Sequence, residues 1–444
     1  MDNLEEIRKI RIQKLENLKQ AGMDPYTANT SFTHTNAEAL DNFKKLSGKP
    51  DKEGVVKKGK EITLVGRVRS LRGHGGSIFC HIEDGYAKIQ LYFKKDLIGD
   101  ANYDLFINNI DLGDFIEVKG KLFLTQKGEK TLQVLSWRIL TKALMPIPSE
   151  WYGLEDVEER FRKRYLDLIQ NREVKDKFIK RSEIIKKIRK FLDENGFSEV
   201  ETPMLQTMAG GAKAKPFKTH LNALNMDLYL RIAPELYLKR LLVGGFDRVY
   251  ELNRNFRNEG MDREHNPEFT MLEFYAAYWN YETMMDFAEK LLNSLDNKLF
   301  KKPFKRVEYS DIVKNGNEKE AFGKIIESTF VINHPVEISP LAKKLDDKRA
   351  ARFQLIVNGI ELANGFSELN DPADQAERFK AQEIERRGGN EEAHQYDKDF
   401  IEALEYGMPP ASGIGIGIDR LTVLLTNSKT LREIILFPTM KPKE

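Results

Sequence analysis

Apolar residues are spaced unevenly along this chain, and the change in their period marks its parts. Within residues 1–22, Leu4, Ile7, Ile10, Leu15 and Leu18 recur among charged neighbours at helical spacing. Asp24-Pro25 then stops the pattern. Residues 30–60 are polar and end in Lys57-Lys58-Gly59-Lys60, which reads as a connector. From Glu61 to Leu144 the period shortens to two, as in Lys88–Phe93, Phe115–Lys119 and Leu132–Val134. Turns are expected at Gly73–Gly76, Asp84-Gly85 and Lys127-Gly128. Short strands at this spacing predict a small β-barrel, a common oligonucleotide-binding architecture. Met145-Pro146-Ile147-Pro148 reads as an extended linker. Beyond it, helical and strand-like patterns mix. A helix is predicted over 176–195, closed by Asn195-Gly196, and another over 280–299, with Met284, Phe287, Leu291 and Leu295 on one face. Strands follow in 352–440, with a last helix near Asp419–Thr426. The expected class is α+β, divided as 1–60 (helix and connector), 61–144 (barrel), 145–175 (linker) and 176–444 (larger domain).

Composition narrows this little. With 444 residues, 41% of them hydrophobic, two or three packed domains are expected. The charge of 71 − 69 = +2 is too balanced to indicate a nucleic-acid binder by itself, although a local patch suffices for one. Arg172 to Lys190 is the strongest basic stretch, and a solvated helix face is the plainer reading of it. Cys80 is the single cysteine, so neither an internal disulfide nor a cysteine zinc site can form. The N-terminal residues carry no apolar core of the signal-peptide kind, and no uninterrupted apolar run approaches ~18 residues. A soluble, cytoplasmic protein is expected.

Three segments carry candidate chemistry. Arg248–Leu252 alternates like a strand, and the chain returns through Phe269–Tyr275 after the polar turn Arg254–Pro267. Such a hairpin points Arg257, Glu259, His265, Glu273 and Tyr275 into one cleft. A guanidinium on a rigid strand suits phosphate oxygens, and Phe269 suits a base. A surface hairpin laced by ion pairs would look similar. The second segment is Gly413-Ile414-Gly415-Ile416-Gly417-Ile418-Asp419-Arg420. Alternate glycines bare one strand face to a ligand. It is neither a P-loop nor a dinucleotide fingerprint, because Ile418 stands where the third glycine should. In the third segment, Glu361–Glu368, the carboxylates are seven positions apart and would face opposite sides of one regular strand. A turn or bulge at Asn364-Gly365 is expected to bring them together.

Together these segments resemble the motifs of the class II aminoacyl-tRNA synthetases, and specifically the class II lysyl-tRNA synthetases. The likeness runs through Phe161–Leu168, Glu199–Leu205 (similar to motif 1), Gly210-Gly211-Ala212, Ala233–Lys239, the hairpin (motif 2), Gly365–Asn370 and Gly413–Arg420 (motif 3). It implies an OB-fold anticodon-binding barrel and a catalytic domain on an antiparallel sheet flanked by helices. It implies a homodimer, with Pro203 at the interface. It also implies activation of L-lysine by ATP with Mg²⁺, then transfer of the lysyl group to the 3′-terminal adenosine of tRNA(Lys).

By the same resemblance, Arg257 holds the α-phosphate and substrate carboxylate, and Arg420 the γ-phosphate. Phe269 stacks on adenine, with Glu259 near its amino group and His265 near the triphosphate. Glu235, Glu368 and Tyr275 surround the lysine ε-ammonium, Gly211 and Glu273 take the α-amino group, and Asn364 the carboxylate. Glu361 and, weakly, Gln354 are the metal ligands. Phe79, Gln90 and Glu129 read the anticodon. The substrate supplies its own nucleophile, so positioning and charge neutralisation carry the chemistry. A neutral amino acid would leave Glu235 and Glu368 unpaired, at about 3–5 kcal/mol.

Three departures stand out. Gln354 replaces a usual glutamate, Glu264 precedes His265 where many members carry arginine, and the stretch 301–329 is short. Aspartyl- and asparaginyl-type synthetases are the nearest alternative, and Gly210–Ala212 with Ala233–Glu235 speaks against them. A protein-lysylating relative would lack the barrel.

Overall fold

The computed structural model describes residues 2–148, 156–314, 317–390, 392–393 and 395–443. Contacts divide the chain into two compact units, Met1–Gly153 and Leu154–Glu444.

In the first unit, β1 (Glu61–His74), β2 (Ser77–Glu83), β3 (Lys88–Lys94), β4 (Phe115–Leu124) and β5 (Lys130–Thr141) close into a barrel in the order β1-β2-β3-β5-β4. Only the β3–β5 pair is parallel. The two-residue period has its physical cause here. Ile78, Cys80 and Ile82, with Ile89, Leu91 and Phe93, fill the interior, while the residues between them face outward. Gly75 and Gly76 turn β1 into β2 at φ +47° and +77°, a backbone that glycine adopts without strain.

The helix Asp2–Gln20 seats Leu18 in the barrel core, and Arg11 donates to the carbonyls of Ala143, Met145 and Leu112. Residues 30–60 are more than a connector. Thr35 and Glu38 form a capping box that starts the helix Asn36–Asp41, and the short helix Phe43–Leu46 follows. Ala39, Phe43 and Leu46 enter the barrel core. Helical spacing of a few apolar residues in a polar segment was the missed signal.

The second unit is built on an eight-stranded sheet, with strands β6 (Ser198–Glu199), β10 (Arg248–Phe256), β11 (Glu268–Ala277), β12 (Lys305–Glu308), β13 (Thr329–Ile332), β14 (Arg352–Val357), β15 (Ile360–Ser367) and β16 (Ala411–Gly417). A small separate sheet holds β7 (Leu205–Gln206), β8 (Lys218–Leu221) and β9 (Met226–Leu230). The large sheet runs β12-β13-β14-β15-β16-β11-β10-β6. Its six inner strands are antiparallel, and the edge strands β12 and β6 join in parallel. One face is covered by the helices Arg172–Glu194, Tyr281–Leu295 and Ile418–Thr426. Ile184, Ile188, Met284, Leu291 and Leu421 pack there against Leu272, Phe274, Ile414 and Ile416. The opposite side chains of the same strands are left for a cleft.

Two boundaries differ from the sequence reading. The helix expected from 176 starts at Arg172, and part of the expected linker, Val157–Arg162 and Arg164–Gln170, is helical. Arg164 explains why: it is buried, pairs with Asp167 at 2.8 Å and donates to the carbonyls of Arg432, Ile435 and Leu436. On Arg172–Glu194, Arg172, Lys180, Lys186, Lys187 and Lys190 are exposed, while three other basic residues are tied to the fold by ion pairs. Lys177 pairs with Glu433 at 2.7 Å, Arg181 with Asp419 at 2.7 Å, and Arg189 with Glu199 at 2.9 Å. Among the described residues, no helix is long and apolar enough to cross a membrane.

Candidate active site

Strand register alone gathers most of the sequence-predicted residues. Glu273 pairs with Gly415, Gly415 with Asn364, and Asn364 with Gln354, so one row crosses β11, β16, β15 and β14. Two residues along, Tyr275, Gly413, Phe366 and Arg352 form the next row. Directly opposed residues share a face, so both rows look the same way. They floor a cleft of about 430 Å³ that is also lined by Gly211, Glu235, Arg257, Glu259, His265, Phe269, Glu361 and Arg420.

The glycines of β16 are needed for packing. A Cβ on Gly413 would lie 2.2 Å from the Tyr275 ring and 2.7 Å from Glu368 Oε1, and one on Gly415 would lie 2.2 Å from Met271 Cε. The bare strand face therefore receives the side chains of β11 and lets the cleft reach the sheet. Gly211 has φ +88°, and a Cβ there would lie 3.0 Å from Glu235 Cβ.

Glu361 and Glu368 are reconciled differently from the sequence expectation. Leu355 pairs with Ala363 and Ile356 with Glu361, so the bulge falls at Leu362 and not at Asn364-Gly365. The extra residue shifts the alternation. Glu361 then lines the cleft, while Glu368, just past the end of β15, is 2% exposed and lies outside the lining.

At one end of the cleft stand the cations. Arg257 continues the hairpin, its N–H donating to the Pro267 carbonyl at 2.8 Å, and its guanidinium lies 5.0 Å from the Phe269 ring centre. Its Nε is buried with no hydrogen-bond partner. Burial pulls its pKa down, and Glu259, Glu273 and Glu361 pull the other way. An unsatisfied guanidinium aimed into a cleft suits an anionic ligand. Arg420 donates to the Glu361 carbonyl at 2.7 Å and approaches His265 Nε2 at 3.3 Å, while Asp262 holds His265 Nδ1 at 2.9 Å. Glu264 and Gly260 join the lining beside them.

At the other end stand the carboxylates. Glu273 is buried and accepts from the Tyr275 hydroxyl at 3.0 Å. Burial, and then Glu235, push its pKa up to about 8. Burial likewise raises Glu235, and pushes Glu368 up to about 8. These two acids are not left facing each other, because Lys239 lies between them. Its Nζ is 2.6 Å from Glu235 Oε1 and 2.5 Å from Glu368 Oε2. Glu368 Oε1 is buried without a hydrogen-bond partner. The expectation that a neutral amino acid would leave Glu235 and Glu368 unpaired is thereby corrected, since Lys239 contacts both.

Two further residues were missed. Arg352 donates through Nε to Asn364 Oδ1 at 2.9 Å and reaches the Ile338 carbonyl at 2.8 Å. Its position two residues before Gln354, on the same strand face, was the available signal. His334 is fully buried with Nε2 2.7 Å from Gln354 Oε1. Burial, and then Arg352, push its pKa down to about 3, so the ring is neutral. Gln354 is thus engaged by a neighbour and brings no charge. Among the described residues, no three His, Cys, Asp or Glu side chains gather as a metal cage. Glu361 lines the cleft, and Arg420 donates to its backbone carbonyl; its carboxylate could hold Mg²⁺, an ion that commonly takes one or two carboxylates plus substrate phosphates.

In the barrel, Phe79 and Tyr92 pair across β2 and β3 with ring centres 5.0 Å apart, and Phe123 lies 6.1 Å from Tyr92. His81 pairs with Gln90 in the same ladder. Glu129 is held by both, at 3.0 Å from His81 Nε2 and 2.7 Å from Gln90 Nε2, and Gln90 Oε1 accepts from Thr131. The structure brings Phe79, Gln90 and Glu129 to one face and adds Tyr92 and His81, which the sequence reading did not single out.

Residues 156–441 match the family model described as tRNA synthetases class II (D, K and N), and residues 62–140 match the OB-fold nucleic acid binding domain. The chain is 47% identical to the lysine–tRNA ligase of Carboxydothermus hydrogenoformans, covering 99% of each chain. It is 46% identical to that of Pelotomaculum thermopropionicum (100% of this chain, 96% of the relative) and 44% identical to that of Enterococcus faecalis (99% and 98%). The chain belongs to the class II tRNA synthetase family, within its lysine–tRNA ligase branch.

Proposed function

We propose that this protein joins L-lysine to tRNA(Lys) at the expense of ATP, with the cleft above the large sheet as its catalytic centre. The carrying observation is the division of that cleft: Arg257, Arg420 and His265 at one end, buried carboxylates at the other. An anionic triphosphate and a diamino acid are complementary to such a layout.

In this reading the adenine stacks on Phe269 opposite Arg257, with Glu259 near its amino group. Arg420 and His265 take the distal phosphates. The lysine α-amino group meets Glu273 and Gly211, its carboxylate meets Asn364, and its ε-ammonium meets Glu235, Tyr275 and Glu368. Arg352 fixes the Asn364 oxygen, which leaves the amide N–H groups to the substrate. The substrate carboxylate then attacks the α-phosphorus. A carboxylate–phosphorus bond forms, the bond to pyrophosphate breaks, and lysyl-adenylate results. Arg257 stabilises the charge that builds on the α-phosphate, and its fixed position avoids reorganisation in the reacting complex. No protein base is needed, because the nucleophile is already ionised. A hydroxyl of the tRNA 3′-terminal adenosine next attacks the acyl carbon and AMP departs. Glu361 would hold a Mg²⁺ ion, which would supply charge neutralisation to the phosphates; Gln354 contributes no anionic ligand.

The barrel offers Phe79 and Tyr92 for stacking on anticodon bases, with Gln90 and Glu129 as polar readers. Support comes from their shared face and from the match to a nucleic-acid-binding domain. A homodimer, and action in the cytoplasm where tRNA is used, complete the proposal. The test is charging of a lysine tRNA transcript with radiolabelled lysine. Lysine should be esterified to the 3′ end by the wild-type chain and not by Arg257→Ala. Equal charging by both would sink the assignment of this cleft.

A further inference from the structure

Lys239 is the largest unexplained feature of the carboxylate end. It lies on the helix Glu235–Val243, one turn after Glu235, and has no exposed surface. Its ammonium contacts Glu235 on its own helix and Glu368 beyond β15, and packs on Phe366 at 5.2 Å and Phe400 at 5.9 Å. Glu273, Tyr275 and Arg352 complete the ionisable groups that act on this cluster. A buried lysine of this kind is ordinarily a packing element that satisfies one carboxylate. Here it is shared between two.

Building on the lysine reading above, we propose that Lys239 is a specificity-determining positioning residue: it aims both carboxylates and leaves the pair one positive charge short, so that the pocket is completed only by a substrate with a side-chain monocation. The count follows from the contacts. Two carboxylates face one ammonium, and Glu368 Oε1 keeps a buried, unpartnered lone pair beside Gly413 and Tyr275. Both of those residues line the cleft. A neutral side chain of lysine's length would fill the space without supplying that charge. Arg352 acts on Glu235 only at a distance, because its guanidinium is committed to Asn364 and the Ile338 carbonyl; a second cation in direct contact with the two carboxylates would remove the demand for an ammonium. Burial pulls the Lys239 ammonium toward neutrality, and Glu235 and Glu368 together more than reverse this, so it stays charged. In the ligand-free pocket the missing charge is met by a proton on the pair, since burial pushes Glu368 up to about 8.

The wild-type chain tests the charge count without mutation. Binding of lysine and of norleucine, its neutral isostere, is followed calorimetrically at pH 7 in two buffers of different ionisation enthalpy. Lysine should release about one proton more than norleucine, because its ε-ammonium displaces the shared proton. Lysine binding with no excess release overturns this inference and leaves the lysine reading standing. No lysine binding sinks both. The positioning role is read from Lys239→Met, with Lys239→Gln as the alternative should the first fail to fold. Lysine KM should rise about a hundredfold while ATP KM holds. Preference for lysine over norleucine should fall with it. Combined with Glu368→Gln, the substitution should add little, because both act through one pair. Multiplicative effects, or equal changes in lysine KM, ATP KM and kcat, would reduce Lys239 to a structural residue.

Discussion

Arg257 concentrates the chemistry of the site in one side chain. Its Nε is buried without a hydrogen-bond partner, so the folded protein holds a charge-bearing donor that no protein group satisfies. Arg257→Ala should lower kcat for lysyl-adenylate formation by about two to three orders of magnitude with overall stability retained, as checked by pyrophosphate exchange and thermal unfolding. The carboxylates behave in the opposite sense. Glu273 and Glu368 are raised from an ordinary 4.5 to about 8 by burial. A carboxyl raised in the folded state favours folding below its unfolded value and loses that contribution as pH climbs through the folded value. The ligand-free protein should therefore lose thermal stability between about pH 5 and pH 8, and saturating lysine should oppose the loss. A melting temperature that rises over that interval without lysine would contradict the buried-acid picture. The hairpin and glycine patterns singled out Arg257, Glu273 and Arg420 as candidates, and the resemblance to the class II synthetases implied their roles. Lys239 and Arg352 escaped these patterns. A buried lysine or arginine reads in sequence like any surface charge, and only the packing around it shows otherwise.

Among the elements, β16 and β15 decide the shape of the cleft. The glycine alternation of β16 was legible, yet its reason was not, since it depends on which side chains β11 sends across. The two inner glycines make a differential prediction. Gly413→Ala collides with the rigid Tyr275 ring and with Glu368 Oε1, whereas Gly415→Ala meets the mobile end of Met271. Gly413→Ala should cost about 1–3 kcal/mol of stability and raise lysine KM, and Gly415→Ala should cost less. Chemical denaturation and steady-state kinetics distinguish them; equal penalties would mean that the Tyr275 contact is not limiting. The bulge at Leu362 was misplaced because its position is set by the β14 partner, which the local sequence does not specify. The helices Asn36–Asp41 and Phe43–Leu46 were missed because their stability comes from the barrel core they enter.

For the whole molecule, the two units have separate cores, and the proposed function gives them separable tasks. The strand and helix periods of both were legible because each has a single buried face. Phe79→Ala should weaken lysine tRNA charging by about 1–3 kcal/mol through tRNA KM and leave lysine–ATP chemistry unchanged. Loss of exchange activity in that variant would instead tie the barrel to the catalytic step. The proposed function rests on cations for the triphosphate and carboxylates for lysine acting in one cleft. ATP–pyrophosphate exchange, run with lysine, aspartate, asparagine and norleucine over a Mg²⁺ titration, tests it most directly. Mg²⁺-dependent exchange with lysine alone is predicted. Exchange with aspartate or asparagine and none with lysine would contradict it.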